Sequence, residues 1–302
     1  MAFTCCPPLA AMLSCKGGML RKVSIKLITI IFLTPHLRHF AVIMPCVLLI
    51  FNGLSGAMSP THAQTRVYVS NIGDNTVSVI DSATNVVIAT IPVGSFPLQV
   101  AITPDGTRAY VTNLMDTGSV SVIDTATNTV IATILTGAFP YAVAFAPNGS
   151  RAYVTSFHTN TVLVVDIATN TVTATIPVGI VPLDVTVTRD GTRVYVVNNV
   201  SNTVSVIDTA TNTVIATIPV ASLLYRLAIT PDGARAYVTN TDFSGSVFVI
   251  DTATNTVIAT IATATIAFGQ SPQEVTLTPD GKRAYVSHWN SGQDCSKSRA
   301  MH

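Results

Sequence analysis

Downstream of Gln64 the sequence holds few residues able to do covalent chemistry: three histidines (His158, His288 and His302) and one cysteine, Cys295. Carboxylates are more plentiful, and five of them recur as Asp81, Asp124, Asp166, Asp208 and Asp251. Evenly repeated aspartates suggest metal binding at first sight, yet copies one repeat apart lie too far from each other to share an ion. Each of the five stands immediately before an x-Ala-Thr-Asn stretch. There an Asp side chain accepts backbone N–H bonds and fixes a turn, so these aspartates are read as structural. No D-x-D calcium loop and no cysteine–histidine zinc spacing follows Gln64, and the C-x-x-C-H haem signature is absent. The histidines, cysteine and carboxylates give no spacing from which a nucleophile–His–carboxylate arrangement can be argued. The expectation is a protein without metal, cofactor or catalytic residues.

Recognition has better candidates. Five short apolar runs precede or resemble T-P-D-G, and their third positions differ: Gln99, Ala142, Asp184, Arg226 and Glu274. The loops between other runs add Asp116, His158 and Asp242. A mixture of Gln, Asp, Arg and Glu at equivalent places suits binding of a polar small molecule, peptide or protein. Solvated polar residues on a rim are the competing reading, and the sequence alone leaves both standing.

These residues must be positioned by a repeat. Starts at Arg66, Arg108, Arg151, Arg193, Arg235 and Arg283 are spaced by 42, 43, 42, 42 and 48 residues, the signature of a repeat architecture. Each period contains four short runs rich in Val, Ile, Thr and Tyr, as in RAYVTN (108–113), SVSVID (119–124), TVIATIL (129–135) and YAVAFA (141–146). Asn, Asp, Gly and Pro bound them, so they read as strands. Gly106, Gly149, Gly191, Gly233 and Gly281 close the P-D-G-type turns, where positive φ is needed. Four antiparallel strands per period of this length make the blade of an all-β propeller; about five blades are present. If the run before P-D-G is innermost, the Asp turns and P-D-G turns share one face. The variable loops and the start of each inner strand share the other. The repeated tyrosines (Tyr68, Tyr110, Tyr153, Tyr195, Tyr237 and Tyr285) are expected to pack blade against blade.

Of the 302 residues 48% are hydrophobic and only 10% are charged, ample material for a large core. Charge is segregated. Before Gln64 stand five basic residues (Lys16, Arg21, Lys22, Lys26 and Arg38) and no acid; from Gln64 onward 11 Lys and Arg face 15 Asp and Glu, a net of −4. That balance disfavours nucleic acid, whose phosphates need a basic surface. The basic stretch leads into FAVIMPCVLLIF (40–51) and then small residues before Gln64, the layout of a secretory signal. Residues 1–63 are therefore expected to target the chain for export to a periplasmic, extracellular or cell-surface location, touching a membrane only if uncleaved. Residues 64–290 form the repeats and 291–302 a tail outside them. Cys5, Cys6, Cys15 and Cys46 lie in the targeting segment, so no disulfide framework is expected in the exported part.

The combination of YVTN (110–113 and 237–240), VIDTATNTVIATI and TPDG (103–106, 230–233 and 278–281) resembles the YVTN family of β-propeller repeat proteins over nearly all of 66–289. The resemblance implies an exported, surface-layer-like propeller, seven-bladed when complete, with no assigned enzymatic activity. Related propellers include lactonases and cofactor-associated enzymes, so a small-molecule hydrolase stays open. Seven blades need roughly 290 residues, whereas 239 follow residue 63. Two arrangements answer this: the strand at 272–280 completes the first blade and closes a five-bladed ring, or the chain is an open fragment of a seven-bladed parent, itself without independent activity in the extreme case. The expected function is a non-catalytic binding or scaffold module.

Overall fold

The computed structural model describes residues 66–115, 118–137, 139–242, 245–263, 270–290 and 299–301. They form six antiparallel sheets. The first holds β1 (Arg66–Asn71), β2 (Thr76–Asp81) and β3 (Val86–Pro92). Four complete sheets follow. They are β4 (Pro97–Ile102) with β5 (Arg108–Asn113), β6 (Ser119–Asp124) and β7 (Thr129–Leu135); then β8 (Pro140–Phe145) with β9 (Arg151–Ser156), β10 (Thr161–Asp166) and β11 (Thr171–Pro177). Next come β12 (Pro182–Val187), β13 (Arg193–Asn198), β14 (Thr203–Asp208) and β15 (Thr213–Pro219), and β16 (Leu224–Ile229), β17 (Arg235–Asn240), β18 (Ser246–Asp251) and β19 (Thr256–Ala262). The last sheet holds β20 (Gln270–Leu277), β21 (Ala284–Asn290) and β22 (Arg299–Met301). Within each complete sheet the strands pair in chain order, and inner strands β4, β8, β12, β16 and β20 are successive neighbours. This is the β-propeller architecture that the period implied.

The repeated residues build the contacts between blades. Tyr110, Tyr153 and Tyr195 are fully buried. The hydroxyl of Tyr110 donates to Asn170 Oδ1 of the next sheet at 2.7 Å, and that of Tyr195 to Asn255 Oδ1 at 3.1 Å. Four of the six recurring arginines reach one blade onward: Arg108 donates to the Ile167 carbonyl at 2.7 Å, Arg151 to Thr209 at 2.9 Å, Arg193 to Thr252 at 2.6 Å, and Arg66 to Thr125. A long, always-charged donor spans the gap between sheets that a nearby Asp does not need it to fill. The Asp turns bond internally. Asp124 Oδ1 accepts the N–H groups of Ala126 and Thr127 at 3.0 and 2.8 Å, and Asp81, Asp208 and Asp251 repeat the pattern. Asp166 Oδ1 accepts the N–H and hydroxyl of Thr169.

Loop contacts sort the two faces. Thr125 Oγ1 donates to the Gly106 carbonyl at 2.7 Å, joining an Asp turn to a P-D-G turn. On the opposite side Asn75 Oδ1 accepts from Phe96 N, and Asn160 Oδ1 from Val181 N, each at 2.9 Å. On the outer strands Val130, Ile131, Ile215 and Ile258 are more than a third exposed, because blades diverge towards the perimeter and leave the outer strand uncovered.

The ends take neither a shared sheet nor a closed one by the expected route. β20 pairs with β21 and β21 with β22, leaving the first sheet with three strands. The tight turn at Thr278–Gly281, with Gly281 N–H bonded to the Thr278 carbonyl at 2.8 Å, gives β20 a local partner. Local closure costs less chain entropy than pairing with β1 across the whole molecule. Within the segment set apart as a tail, Arg299–Met301 adds a short edge strand.

Candidate functional site

Three inner strands carry a bulge at their second and third residues, as the register breaks between Pro97 and Val100, Pro140 and Val143, and Leu224 and Leu227 show, and β20 breaks likewise between Pro272 and Val275. A bulge frees backbone groups and re-aims side chains. A hydroxyl on the neighbouring second strand takes over the freed N–H: Thr112 Oγ1 accepts from Gln99, Thr155 from Ala142 and Thr239 from Arg226, at 3.1, 2.9 and 2.9 Å. The fourth blade has Val197 where the second, third and fifth have Thr and the first and last sheets have Ser70 and Ser287, and there Asp184 pairs directly with Val197.

The re-aimed third residues point across blade boundaries. Gln99 Oε1 accepts the Val143 N–H at 2.7 Å, and Asp184 Oδ2 accepts the Leu227 N–H at 2.7 Å. Asp184, Arg226 and Glu274 come together. Arg226 Nη1 lies 3.4 Å from Asp184 Oδ1, and Arg226 Nε lies 3.5 Å from Glu274 Oε2. Two rings complete the cluster. The guanidinium carbon of Arg226 sits 4.9 Å from the Tyr225 ring centre and 5.6 Å from that of Tyr141, within cation–π range. The two tyrosine hydroxyls meet at 3.1 Å although their sheets are not adjacent.

Burial governs the electrostatics. It pushes Glu274 up to about 7, with Arg226 opposing and Asp184 adding to the rise. Burial also raises Asp184, against the pull of Arg226 and the Leu227 N–H. For Arg226 burial disfavours the cation, but Asp184 and Glu274 together outweigh it and hold the guanidinium charged. The Tyr141 hydroxyl is raised by burial and then by Tyr225. Both ion-pair contacts of Arg226 are long, and its buried Nε has no protein acceptor in hydrogen-bonding geometry. A guanidinium offers five donors, so this one retains unused capacity.

The remaining candidates stand apart from this cluster. Gln99 is committed to Val143, and Ala142 brings no polar group. His158 is exposed and packs beside Phe139, ring centres 5.3 Å apart. Asp242 accepts from Asn240 Nδ2 at 3.1 Å and from Gly245 N at 3.2 Å in its own loop. Asp116 lies outside the described residues. Sequence reasoning missed Tyr141 and Tyr225. Their signal was present, because the second position of the inner strand reads Leu98, Tyr141, Leu183, Tyr225 and Gln273, another place where the copies disagree. Among the described residues no group of three His, Cys, Asp or Glu side chains is placed to hold a metal ion. A separate cleft of about 430 Å³ near Pro177, Gly179, Ser201 and Thr217 lies away from the cluster.

No protein-family profile matches the chain, and no curated protein matches it. Solved structures do. The chain is similar to hydrazine synthase of Kuenenia stuttgartiensis, with a TM-score of 0.69 and 25% identity over 77% of each chain. It is also similar to a functionally unknown protein from Desulfotomaculum acetoxidans, with a TM-score of 0.64 and 20% identity over 74% of this chain and 75% of that one.

Proposed function

We propose that the chain is a non-catalytic binding module whose recognition site is the Asp184–Arg226–Glu274 cluster with Tyr141 and Tyr225. The observation that carries this reading is the Arg226 guanidinium, whose Nη1 faces Asp184 and whose buried Nε lies beside Glu274 without an acceptor in hydrogen-bonding geometry. A buried donor left unsatisfied is costly, and a ligand acceptor removes that cost. Glu274, the most exposed of the three charged side chains at 26%, offers a carboxylate to a ligand cation or donor. A peptide or small molecule presenting both kinds of group fits the cluster. The basic, then apolar, order of residues 1–63 supports export, and the repeated YVTN and VIDTATNTVIATI sequences support a surface-layer-like setting.

The experiment is a thermal-shift titration of the purified chain with arginine-containing dipeptides. A saturable rise in Tm that is lost in Glu274→Gln and kept in Gln99→Ala supports the reading. Absence of any shift, or a shift indifferent to Glu274→Gln, overturns it. Turnover of a lactone or ester panel would replace it with a hydrolase.

A further inference from the structure

The face that carries the variable loops has an unusual composition. Among the described residues the loops 72–75, 114–115, 157–160, 199–202 and 241–242, with 93–96, 136–137, 178–181 and 220–223, contain no Lys or Arg. Their charged residues are Asp74 and Asp242. The basic residues Arg108, Arg151, Arg193, Arg235, Lys282 and Arg283 all stand beside the P-D-G-type turns of the opposite face.

The same loops expose large apolar side chains: Phe96, Met115, Ile180, Val200 and Leu223 are each at least 40% exposed. Backbone bonds hold them in pairs across neighbouring loops. Met115 N–H donates to the Ser95 carbonyl at 3.3 Å beside Phe96, and Val200 N–H donates to the Ile180 carbonyl at 3.2 Å. Phe96, Val181 and Leu223 have φ of 56°, 58° and 58°, a left-handed backbone that bulky and β-branched residues rarely adopt. Such strain persists where the surrounding structure imposes it, and it clusters at functional sites. Turns of this kind ordinarily take Gly or Asn, as the chain itself does at Asn75, Asn160 and Asn202.

We infer that this face docks a cationic, apolar polypeptide segment, with Phe96, Ile180 and Leu223 taking its apolar side chains and Asp74, Asp242 and Glu274 its basic ones. The inference rests on the reading of the chain as a binding module and names its partner's chemistry. Charge complementarity decides the occupant: the described loops carry acidic residues and no Lys or Arg, and the Arg226 guanidinium at the inner strands is already flanked by Asp184 and Glu274, so a basic segment is attracted where an anionic membrane or nucleic acid is repelled. Exposed apolar patches on soluble proteins mark interaction sites. The inner strands open onto this face, so a basic side chain of the docked segment reaches Glu274.

The test uses three synthetic peptides of equal length, one of Lys and Leu, one of Glu and Leu, and one of Lys and Ser, titrated by fluorescence anisotropy. The Lys/Leu peptide binds at least about tenfold tighter than either other peptide, and more weakly at high salt. Phe96→Asn/Leu223→Asn relieves the left-handed strain while removing apolar surface. Its Tm holds or rises while Lys/Leu affinity falls about tenfold, which separates docking from folding. Equal binding of Lys/Leu and Glu/Leu, equal binding of Lys/Leu and Lys/Ser, no binding, or an affinity unchanged in the double variant each overturns the inference. Dipeptide binding that depends on Glu274 would then leave the cluster's reading intact; loss of the dipeptide response with retained Lys/Leu docking would do the reverse.

Discussion

Asp184 holds two partners from the neighbouring blade at once: Oδ2 accepts the Leu227 N–H at 2.7 Å and Oδ1 faces Arg226 at 3.4 Å. One carboxylate thus fastens two inner strands and fixes the only guanidinium placed on the inner strands. The same position in the second blade, Gln99, fastens Val143 without holding a charge. The third residue of the inner strand is thus a structural tie in both copies, and in one of them it also holds a charge.

This relationship separates two substitutions. Asp184→Asn keeps an acceptor for Leu227 but leaves Arg226 with Glu274 alone, whereas Asp184→Ala also orphans the Leu227 N–H. Removing one partner of a buried pair costs about 3–5 kcal/mol, and an unsatisfied buried N–H about 1–3 kcal/mol. Urea unfolding should rank stability as wild type above Asn above Ala.

The pH dependence has a definite sign. Glu274 is raised from 4.5 to about 7 in the folded protein, so its contribution favours folding fully below pH 4.5 and is lost as pH rises to about 7. Asp184 is raised too and contributes in the same direction. The difference in Tm between wild type and Glu274→Gln, followed from pH 4 to 8, should therefore move against wild type as pH rises through about 4.5–7. A flat difference contradicts the shift. The same titration makes binding of cationic ligands strengthen as pH rises through about 7, because only the ionised carboxylate attracts them.

Gly94 and Gly179 stand where a Cβ would lie 2.7 Å from Asn113 and 2.6 Å from Asn198. Those amides donate to serine hydroxyls of the third strand, at 2.9 Å to Ser121 and to Ser205. Gly94→Ala or Gly179→Ala should cost about 1–3 kcal/mol by displacing them, read from the denaturant midpoint. The fifth blade shows the alternative: Ala221 occupies the place, and Asn240 Nδ2 turns to Asp242 instead.

The arginine ties are tested by Arg151→Ala, which removes the bond to the Thr209 carbonyl. A hydrogen bond to a charged group contributes about 1.5–3 kcal/mol. Arg235 is exposed, and its replacement by Ala should change the midpoint by less than about 0.5 kcal/mol.

Much of the fold was legible because repetition multiplies a weak signal. One copy of SVSVID followed by TATNTVIAT reads as an ambiguous hairpin, and several at one spacing define the blade. The aspartates were legible for the same reason, since a local Asp turn depends only on its own five residues. What crosses blades was not. Arg108 meets Ile167 and Tyr110 meets Asn170 across 59 and 60 residues, and no local pattern records such partners. The site was half legible. Disagreement among copies marked Asp184, Arg226 and Glu274, but their convergence depends on bulges set by the hydroxyls of Thr155 and Thr239 and by Val197, and on tyrosines that looked like filler beside Leu98 and Leu183. Exposure of the outer strands was missed because VIATI looks buried by composition, while its place at the perimeter decides otherwise.

One face of the propeller, centred on Glu274 and Arg226, is proposed to do the binding. Hydrogen–deuterium exchange of the full chain with and without the Lys/Leu peptide tests this most directly. Protection is predicted in 93–96, 114–115, 178–181, 199–202, 220–223 and the starts of the inner strands. Protection in the P-D-G turns at 103–107, 188–192 and 230–234, or uniformly over both faces, would contradict it.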